Sequence, residues 1–184
     1  MPTHEFNTQG EITPVDARLK LAGILCNRTP VDAGTISNLA GKTGSLLNDP
    51  IPEFQNMTLL TLGSRFTGLQ VFRALVKTPG ILPNQPDGNG ELPLLSALHE
   101  MATTQRQPVY DEVHDKALLL TRKGANIHAL GTDPFYGMPD ERISPVKFAQ
   151  QYRMGGKLVT EMEAAVISSK KQVFKLGGAA LQQQ

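Results

Sequence analysis

Apolar residues recur along this chain at the spacing of helices that bury one face. Within residues 69–76 the apolar positions are Leu69, Val71, Phe72, Leu75 and Val76. They form one broad apolar stripe on a helix. The same spacing predicts helices at 94–101, 113–120 and 157–168. Stretches rich in glycine, proline and asparagine lie between these segments and end helices. The pattern therefore predicts an all-α fold of short helices joined by turns.

Two identical pentapeptides predict the first pair of helices. The sequence Thr-Pro-Val-Asp-Ala occurs at 13–17 and again at 29–33. Threonine suits the N-cap, proline lacks the N–H that would go unpaired at the first helical position, and aspartate favours the positive helix end. We expect helices over 14–26 and 30–40, and their short connection makes them antiparallel neighbours.

A repeating unit runs through the rest of the chain. Leu59 and Pro93 stand at equivalent helix openings and are 34 residues apart. The next opening is Ser144-Pro145-Val146, which follows Pro93 after 52 residues. A period near 33 residues is typical of helical repeat proteins. The longer second interval predicts inserted residues, which we expect in the loop 103–109 and in the segment 131–142.

The order of these segments resembles an ankyrin repeat. An Asp-Gly-Asn-Gly turn at 87–90 leads into the helix opening Leu-Pro-Leu-Leu at 92–95. A leucine run at 118–120 is followed by Lys-Gly-Ala-Asn at 123–126. Ankyrin units share this order of turn, Thr-Pro-Leu-like opening, second helix and Gly-Ala-Asp/Asn tip. The resemblance implies an ankyrin-like solenoid of stacked helix pairs with short hairpin-like loops.

The resemblance covers residues 57–168 and divides the chain into three parts. Residues 1–56 would hold an N-terminal helical pair, either a cap or a divergent repeat. Residues 169–184 would form a C-terminal tail, of which we expect 177–184 to be frayed or disordered. The repeats depart from the family pattern at a few positions: Leu92 replaces a threonine, and Leu95 and Lys147 replace a histidine whose ring ties neighbouring loops in the family.

Composition excludes several classes of function. The 18 basic and 17 acidic residues give a net charge of +1, without the basic excess of a nucleic-acid-binding protein. The single cysteine, Cys26, rules out an internal disulfide framework. No apolar run is long enough to span a membrane, and the first residues lack the pattern of a secretory signal. We therefore expect a cytoplasmic protein that does not insert into membranes.

The sequence contains no motif typical of catalysis or metal binding. None of the four histidines pairs with another at the i, i+4 spacing of a helical metal site. His114, beside Glu112 and Asp115, leaves open a small helical enzyme with a histidine base. Acidic residues near a helix start more often serve its positive end. We predict no enzymatic activity, no metal and no cofactor.

The segment 131–142 is the best candidate for a binding surface. It lengthens a loop that projects at the hairpin edge in ankyrin proteins, and it carries two adjacent aromatic residues in a chain with only 5% aromatics. Aromatic residues carry much of the energy of protein interfaces. The alternative is that these rings fold back over the core. Together with the hairpin tips, the candidate partner-binding residues are Asp87, Asn89, Glu91, His128, Asp133, Phe135 and Tyr136.

The resemblance implies a scaffold that binds another protein through its concave face and loop tips, and we expect a monomer. With its divergent repeats and irregular insertions, this chain looks similar to the ankyrin proteins that intracellular bacteria secrete to engage host proteins. That likeness predicts a location in the cytoplasm or, after delivery, in a host cytoplasm. The alternative function is a targeting module that recruits substrates to a larger enzyme.

Overall fold

The structure, a computed structural model, describes residues 12–27, 30–104, 107–136, 141–154 and 156–180. Over these ranges the chain is predominantly helical, as predicted. Two strands of two residues each form one small sheet. Within the described ranges the α-helices and strands are, in chain order, α1 (Pro14–Cys26), α2 (Ala33–Lys42), α3 (Leu59–Phe66), α4 (Leu69–Lys77), α5 (Pro93–Thr103), α6 (Gln107–Arg122), β1 (Gly131–Thr132), β2 (Arg142–Ile143), α7 (Pro145–Gln151) and α8 (Gly156–Ala180). Two short 3₁₀ helices, Gly44–Asn48 and Pro52–Phe54, lie between α2 and α3.

The helices form four consecutive pairs that pack in two rows. The first helices of the pairs contact one another in the order α1, α3, α5 and α7, and the second helices in the order α2, α4, α6 and α8. Each pair thus packs on the pair before and after it. The buried apolar side chains of all four pairs form one continuous cluster. The pair α1 and α2 packs on its neighbour as the later pairs do.

Hydroxyl side chains cap the starts of three helices, and Thr13 is the one of them predicted as an N-cap. Thr13 accepts a hydrogen bond from the Asp16 N–H at α1, and Ser144 accepts one from the Lys147 N–H at α7. Thr58 forms a reciprocal capping box with Thr61 at α3. These bonds satisfy N–H groups that have no partner within the helix.

The second helix begins later than predicted. Pro30 and Val31 precede α2, and Asp32 is its N-cap rather than a first-turn residue. The Asp32 carboxylate accepts hydrogen bonds from the N–H of Thr35 at 2.9 Å and from its hydroxyl at 2.6 Å. These bonds, the hydroxyl first, lower the pKa of Asp32. Thr29, the predicted cap, lies outside the described residues.

Two other helix boundaries differ from the predictions. The loop expected over 103–109 is short, since α5 ends at Thr103 and α6 begins at Gln107. Part of the extra length lies in α6, which has 16 residues where α4 has nine. The last helix was expected to end at residue 168 and continues to Ala180, since no glycine or proline lies between 157 and 176 to stop it. The tail predicted to be frayed is therefore helical over 177–180, and residues 181–184 lie outside the described ranges.

Asparagine side chains tie the turns after the second helices together. Asn48 donates to the Gly80 carbonyl at 2.8 Å and accepts from the Leu82 N–H at 2.9 Å. Asn84 makes the same two bonds one unit later, with the Gly124 carbonyl at 2.9 Å and the Asn126 N–H at 2.6 Å. A primary amide suits this role because it carries both a donor and an acceptor.

A lysine is buried between the rows. Lys116 on α6 is 1% exposed. Its ammonium group donates to the Ser64 carbonyl at 3.2 Å and to the Glu100 carboxylate at 3.3 Å. It also lies 5.9 Å from the centre of the Phe72 ring. These contacts from α3, α4 and α5 compensate the charge for its loss of water.

Candidate partner-binding surface

The inserted segment 131–143 forms a hairpin that is fixed to the preceding turn. Strands β1 and β2 pair antiparallel, with Gly131 opposite Ile143 and Thr132 opposite Arg142. Thr132 donates to the Gly90 carbonyl from its N–H and to the Asn89 carbonyl from its hydroxyl, both at 2.9 Å. The base of the hairpin is therefore held by the turn at 87–91.

That turn is itself built around one carboxylate. Asp87 accepts hydrogen bonds from the N–H groups of Asn89 at 2.9 Å and Glu91 at 3.0 Å. Burial raises the pKa of Asp87, and these two backbone bonds oppose the rise. Asn89 donates from its side chain to the Gln55 carbonyl at 2.8 Å, so the turns around 55, 89 and 132 lie one on another.

Close contact between the turns requires glycine at residue 90. Gly90 has a φ of +80°, and a Cβ at this position would lie 2.6 Å from the Thr132 hydroxyl oxygen. Both the left-handed backbone and the lack of space exclude larger residues. The Asp-Gly-Asn-Gly sequence thus provides the platform on which the hairpin rests.

Glu91 lies beneath the turn in a buried ion pair. Both of its carboxylate oxygens accept from one terminal nitrogen of Arg65 on α3, at 2.8 and 2.9 Å. The Ser96 hydroxyl also donates to Glu91. Burial raises the pKa of Glu91, and the Arg65 charge is the main opposing effect. The pair connects α3 to the start of α5 below the candidate surface.

Phe135 lies partly over the core and partly in solvent. Its ring centre is 4.6 Å from that of His99 with the rings perpendicular, 4.5 Å from that of Tyr152, and 5.8 Å from that of the buried Phe148. The side chain nevertheless remains 41% exposed. The expectation of a fold-back over the core therefore holds for part of this side chain, and the rest of it is exposed.

His99 meets this aromatic cluster from α5. The pKa of His99 is lowered to about 4, chiefly by burial and also by the Arg65 charge, whereas the Asp133 carboxylate acts in the opposite sense. The imidazole is consequently neutral near pH 7. A neutral ring packs edge to face on Phe135 without bringing a charge to the cluster.

A pocket of about 420 Å³ lies between the hairpin and α7. Tyr136, 59% exposed, stands at its edge. Arg142 and Lys147 line the pocket with their side chains exposed, and Ile143 is buried within it. The other lining residues are Asp133, Glu141 and Gln151. The pocket therefore combines an aromatic ring, an apolar base and charges of both signs.

The predicted site residues fall into three groups. Asp87, Glu91 and Asp133 are buried, so their carboxylates shape the turns rather than present a surface; Asp133, for example, accepts from the Phe135 N–H. Phe135 and Tyr136 lie together on the hairpin. Exposed Asn89 and His128 lie apart from them, Asn89 bonded to a neighbouring turn and His128 at a different pocket.

The sequence interpretation did not include Arg142 and Lys147. Arg142 pairs with Thr132 across the hairpin, and Lys147 is in the first turn of α7. The available signal was weak, because an isolated basic residue in a loop is usually solvated. Their proximity to Tyr136 depends on the pairing of β1 with β2.

The acidic neighbours of His114 have structural contacts. Glu112 accepts a hydrogen bond from the Leu69 N–H at the start of α4, where the N-cap Gly68 has no side chain to do so. The His114 ring lies 2.7 Å from a carboxylate oxygen of Glu161 on α8. These contacts join α6 to the units on either side.

No protein-family model, curated protein or solved structure matches this chain. Among the described residues, no group of three or more potential metal ligands comes together. The helices over the same residues include none with the length and apolar character needed to cross a membrane. The functional inference therefore comes from the geometry of the chain itself.

Proposed function

We propose that this protein is an ankyrin-type scaffold that binds another protein through the insertion surface, defined here as Phe135, Tyr136, Arg142 and Lys147. Two rows of stacked helices and repeated turn-to-turn hydrogen bonds support the ankyrin assignment. Such arrays carry binding residues on loops that a rigid framework positions. Delivery into a host cytoplasm stays a prediction.

The exposure of two adjacent aromatic side chains on an anchored hairpin is the observation that carries this proposal. Phe135 and Tyr136 are 41% and 59% exposed and adjacent, whereas the exposed apolar residues of an ordinary protein surface are scattered singly. Aromatic residues at an interface provide much of its binding energy. Because the hairpin base is already ordered by Thr132 and Gly90, binding there loses less conformational entropy than binding by a free loop.

The surrounding residues indicate the chemistry of the partner. The exposed parts of Phe135 and Tyr136 fit an apolar side chain. Arg142 and Lys147, exposed beside them, fit a carboxylate or backbone carbonyl at the rim. An apolar centre with a polar rim is the usual composition of a protein interface. A partner segment with an apolar anchor and a hydrogen-bond acceptor beside it therefore fits this surface best.

Photocrosslinking tests the proposal. A photoreactive phenylalanine at position 136 is expected to capture a protein from cell lysate that the same group at position 15 does not. Val15 is a matched control because it is also exposed, at 46%, but lies on α1. The purified partner should then bind the unlabelled protein and compete with capture. Identical captures at both positions, or no competition, would contradict a binding role for the insertion surface.

A further inference from the structure

The turn Gly124–His128 follows a second helix at the same place as two earlier segments, the 3₁₀ helix Gly44–Asn48 and the turn Gly80–Asn84. Gly44, Gly80 and Gly124 all have positive φ, at 56°, 84° and 100°, and each follows within three residues of the end of a second helix. The residue four positions after the first two glycines is Asn48 or Asn84. These are the two asparagines that bond to the following turn.

His128 occupies the equivalent position of the third turn. It is four residues after Gly124 and is exposed. Its ring makes no hydrogen bond with the described part of the chain, whereas its N–H donates to the Asn126 side chain at 3.0 Å. A neutral imidazole has one N–H donor and one nitrogen acceptor, as a primary amide does. His128 is thus chemically equipped for the two bonds that Asn48 and Asn84 make.

The following helix does not provide a turn for His128 to contact. Ser169 on α8 donates to the Arg122 carbonyl at the end of α6, at 3.2 Å. Ser169 therefore lies level with the end of α6, at the place where the earlier second helices end. Helix α8 nevertheless continues to Ala180. A pocket of about 410 Å³ lies here, lined by residues 124–128 together with Thr121, Val166 and Ser169.

We propose that this pocket binds a glycine-containing turn of another protein, in place of the turn that the fourth helix pair would supply if α8 ended near Ser169. The internal junctions specify the ligand. In both, the asparagine donates to a glycine carbonyl and accepts from the N–H two residues later. The residue between is buried, Ile81 in one case and Ala125 in the other. The expected ligand is therefore a three-residue segment: a glycine with a free carbonyl, an apolar residue, and a residue with a free backbone N–H.

The lining of the pocket matches that ligand. Ala125 and Ile127 are buried, and Val166 packs against the core beside them. Together they offer an apolar contact for the middle residue, while His128 supplies the hydrogen bonds. Because the residues of this pocket are separate from those of the insertion surface, failure of one binding site leaves the other unaffected.

A capped peptide copying residues 78–86, which contains the Gly80 turn, is the probe. Backbone amide resonances of the full chain are followed by NMR during titration to millimolar peptide. The expected result is saturable shifts at 124–128 and around Val166 and Ser169. A peptide with Gly80→Val should not bind, because a β-branched residue does not readily adopt the positive φ of this turn. Absence of shifts at 124–128, or equal binding of the two peptides, would overturn the proposal.

Variants of the full chain test the role of the histidine. His128→Ala is expected to weaken peptide binding about three- to tenfold, the effect of one or two lost hydrogen bonds. His128→Asn should bind within about twofold of the wild type, since the amide restores both groups. Lys123→Ala is the matched control, because Lys123 is exposed next to the turn but does not line the pocket. Equal affinities for the alanine and asparagine variants would overturn the assignment of His128.

Discussion

Replacing Arg65 with methionine tests the buried ion pair that underlies the candidate surface. Methionine preserves much of the apolar stem of Arg65 but removes the nitrogen that bonds both oxygens of Glu91 at 2.8 and 2.9 Å. The Glu91 side chain is 10% exposed and that of Arg65 is 23% exposed. The variant would therefore retain a carboxylate that has lost its cation and gains little water in return.

The magnitude follows from that burial. Removing one partner of a fully buried pair destabilises a protein by about 3–5 kcal/mol. The partial exposure of Arg65 reduces this, and we expect about 2–4 kcal/mol at pH 7. The loss should be smaller at low pH. Burial already raises the pKa of Glu91 against the Arg65 charge, so the pKa rises further without Arg65. A carboxyl with a raised folded-state pKa contributes most stability below its unfolded pKa, and this contribution is lost as pH rises through the folded value.

Urea denaturation of four proteins measures the interaction. These are the wild type, Arg65→Met, Glu91→Gln and the double variant, each at pH 5 and pH 7.5. The double-mutant cycle should give a coupling free energy of at least about 1.5 kcal/mol at the higher pH. Arg65→Met should lose less stability at pH 5 than at pH 7.5. A coupling below about 0.5 kcal/mol, or a larger loss at pH 5, would refute this account of the pair.

Three further changes test other parts of the structure by chemical denaturation. The pKa of His99 is lowered to about 4, so the folded protein should lose stability as pH drops from about 6.5 towards 4. The expected loss is about 1–2 kcal/mol, less than the full pKa shift would give, because the side chain is partly exposed. The loss should be smaller in His99→Gln. Gly90→Ala should destabilise by about 2–3 kcal/mol through its positive φ and the contact with Thr132. The control Gly41→Ala, in open space on α2, should stabilise by about 0.5–1 kcal/mol. Asn84→Ala should lose about 1–3 kcal/mol with its two bonds to the next turn; no loss would argue against that contact.

Helix starts were predictable because their signals are local. Thr13, Thr58 and Ser144 accept hydrogen bonds from the first N–H groups of α1, α3 and α7. Pro93, the first residue of α5, has no N–H that could stay unpaired. The start of α2 was predicted wrongly because two residues that suit an N-cap, Thr29 and Asp32, lie within one short segment. A local signal does not decide between them. The true end of α8 depends on a stop signal that is absent near residue 168.

The candidate site was less predictable because its contacts join distant residues. Strands β1 and β2 have two residues each and produce no periodic pattern. The turn at 87–91 supports them from more than 40 positions away. Exposed carboxylates were expected at Asp87 and Glu91, and neither burial nor the partner Arg65 is visible in a local sequence pattern. The aromatic pair was identifiable by composition alone.

The affinity of the protein captured at position 136 is the most direct test of the insertion surface. Isothermal titration should compare the wild type with Tyr136→Ala and with Val15→Ala, whose exposed apolar side chain lies on α1. The proposed function predicts that Tyr136→Ala weakens binding by at least about tenfold, as the loss of an aromatic anchor does, while Val15→Ala stays within about twofold. Equal affinities of Tyr136→Ala and the wild type would contradict a partner-binding role for this surface.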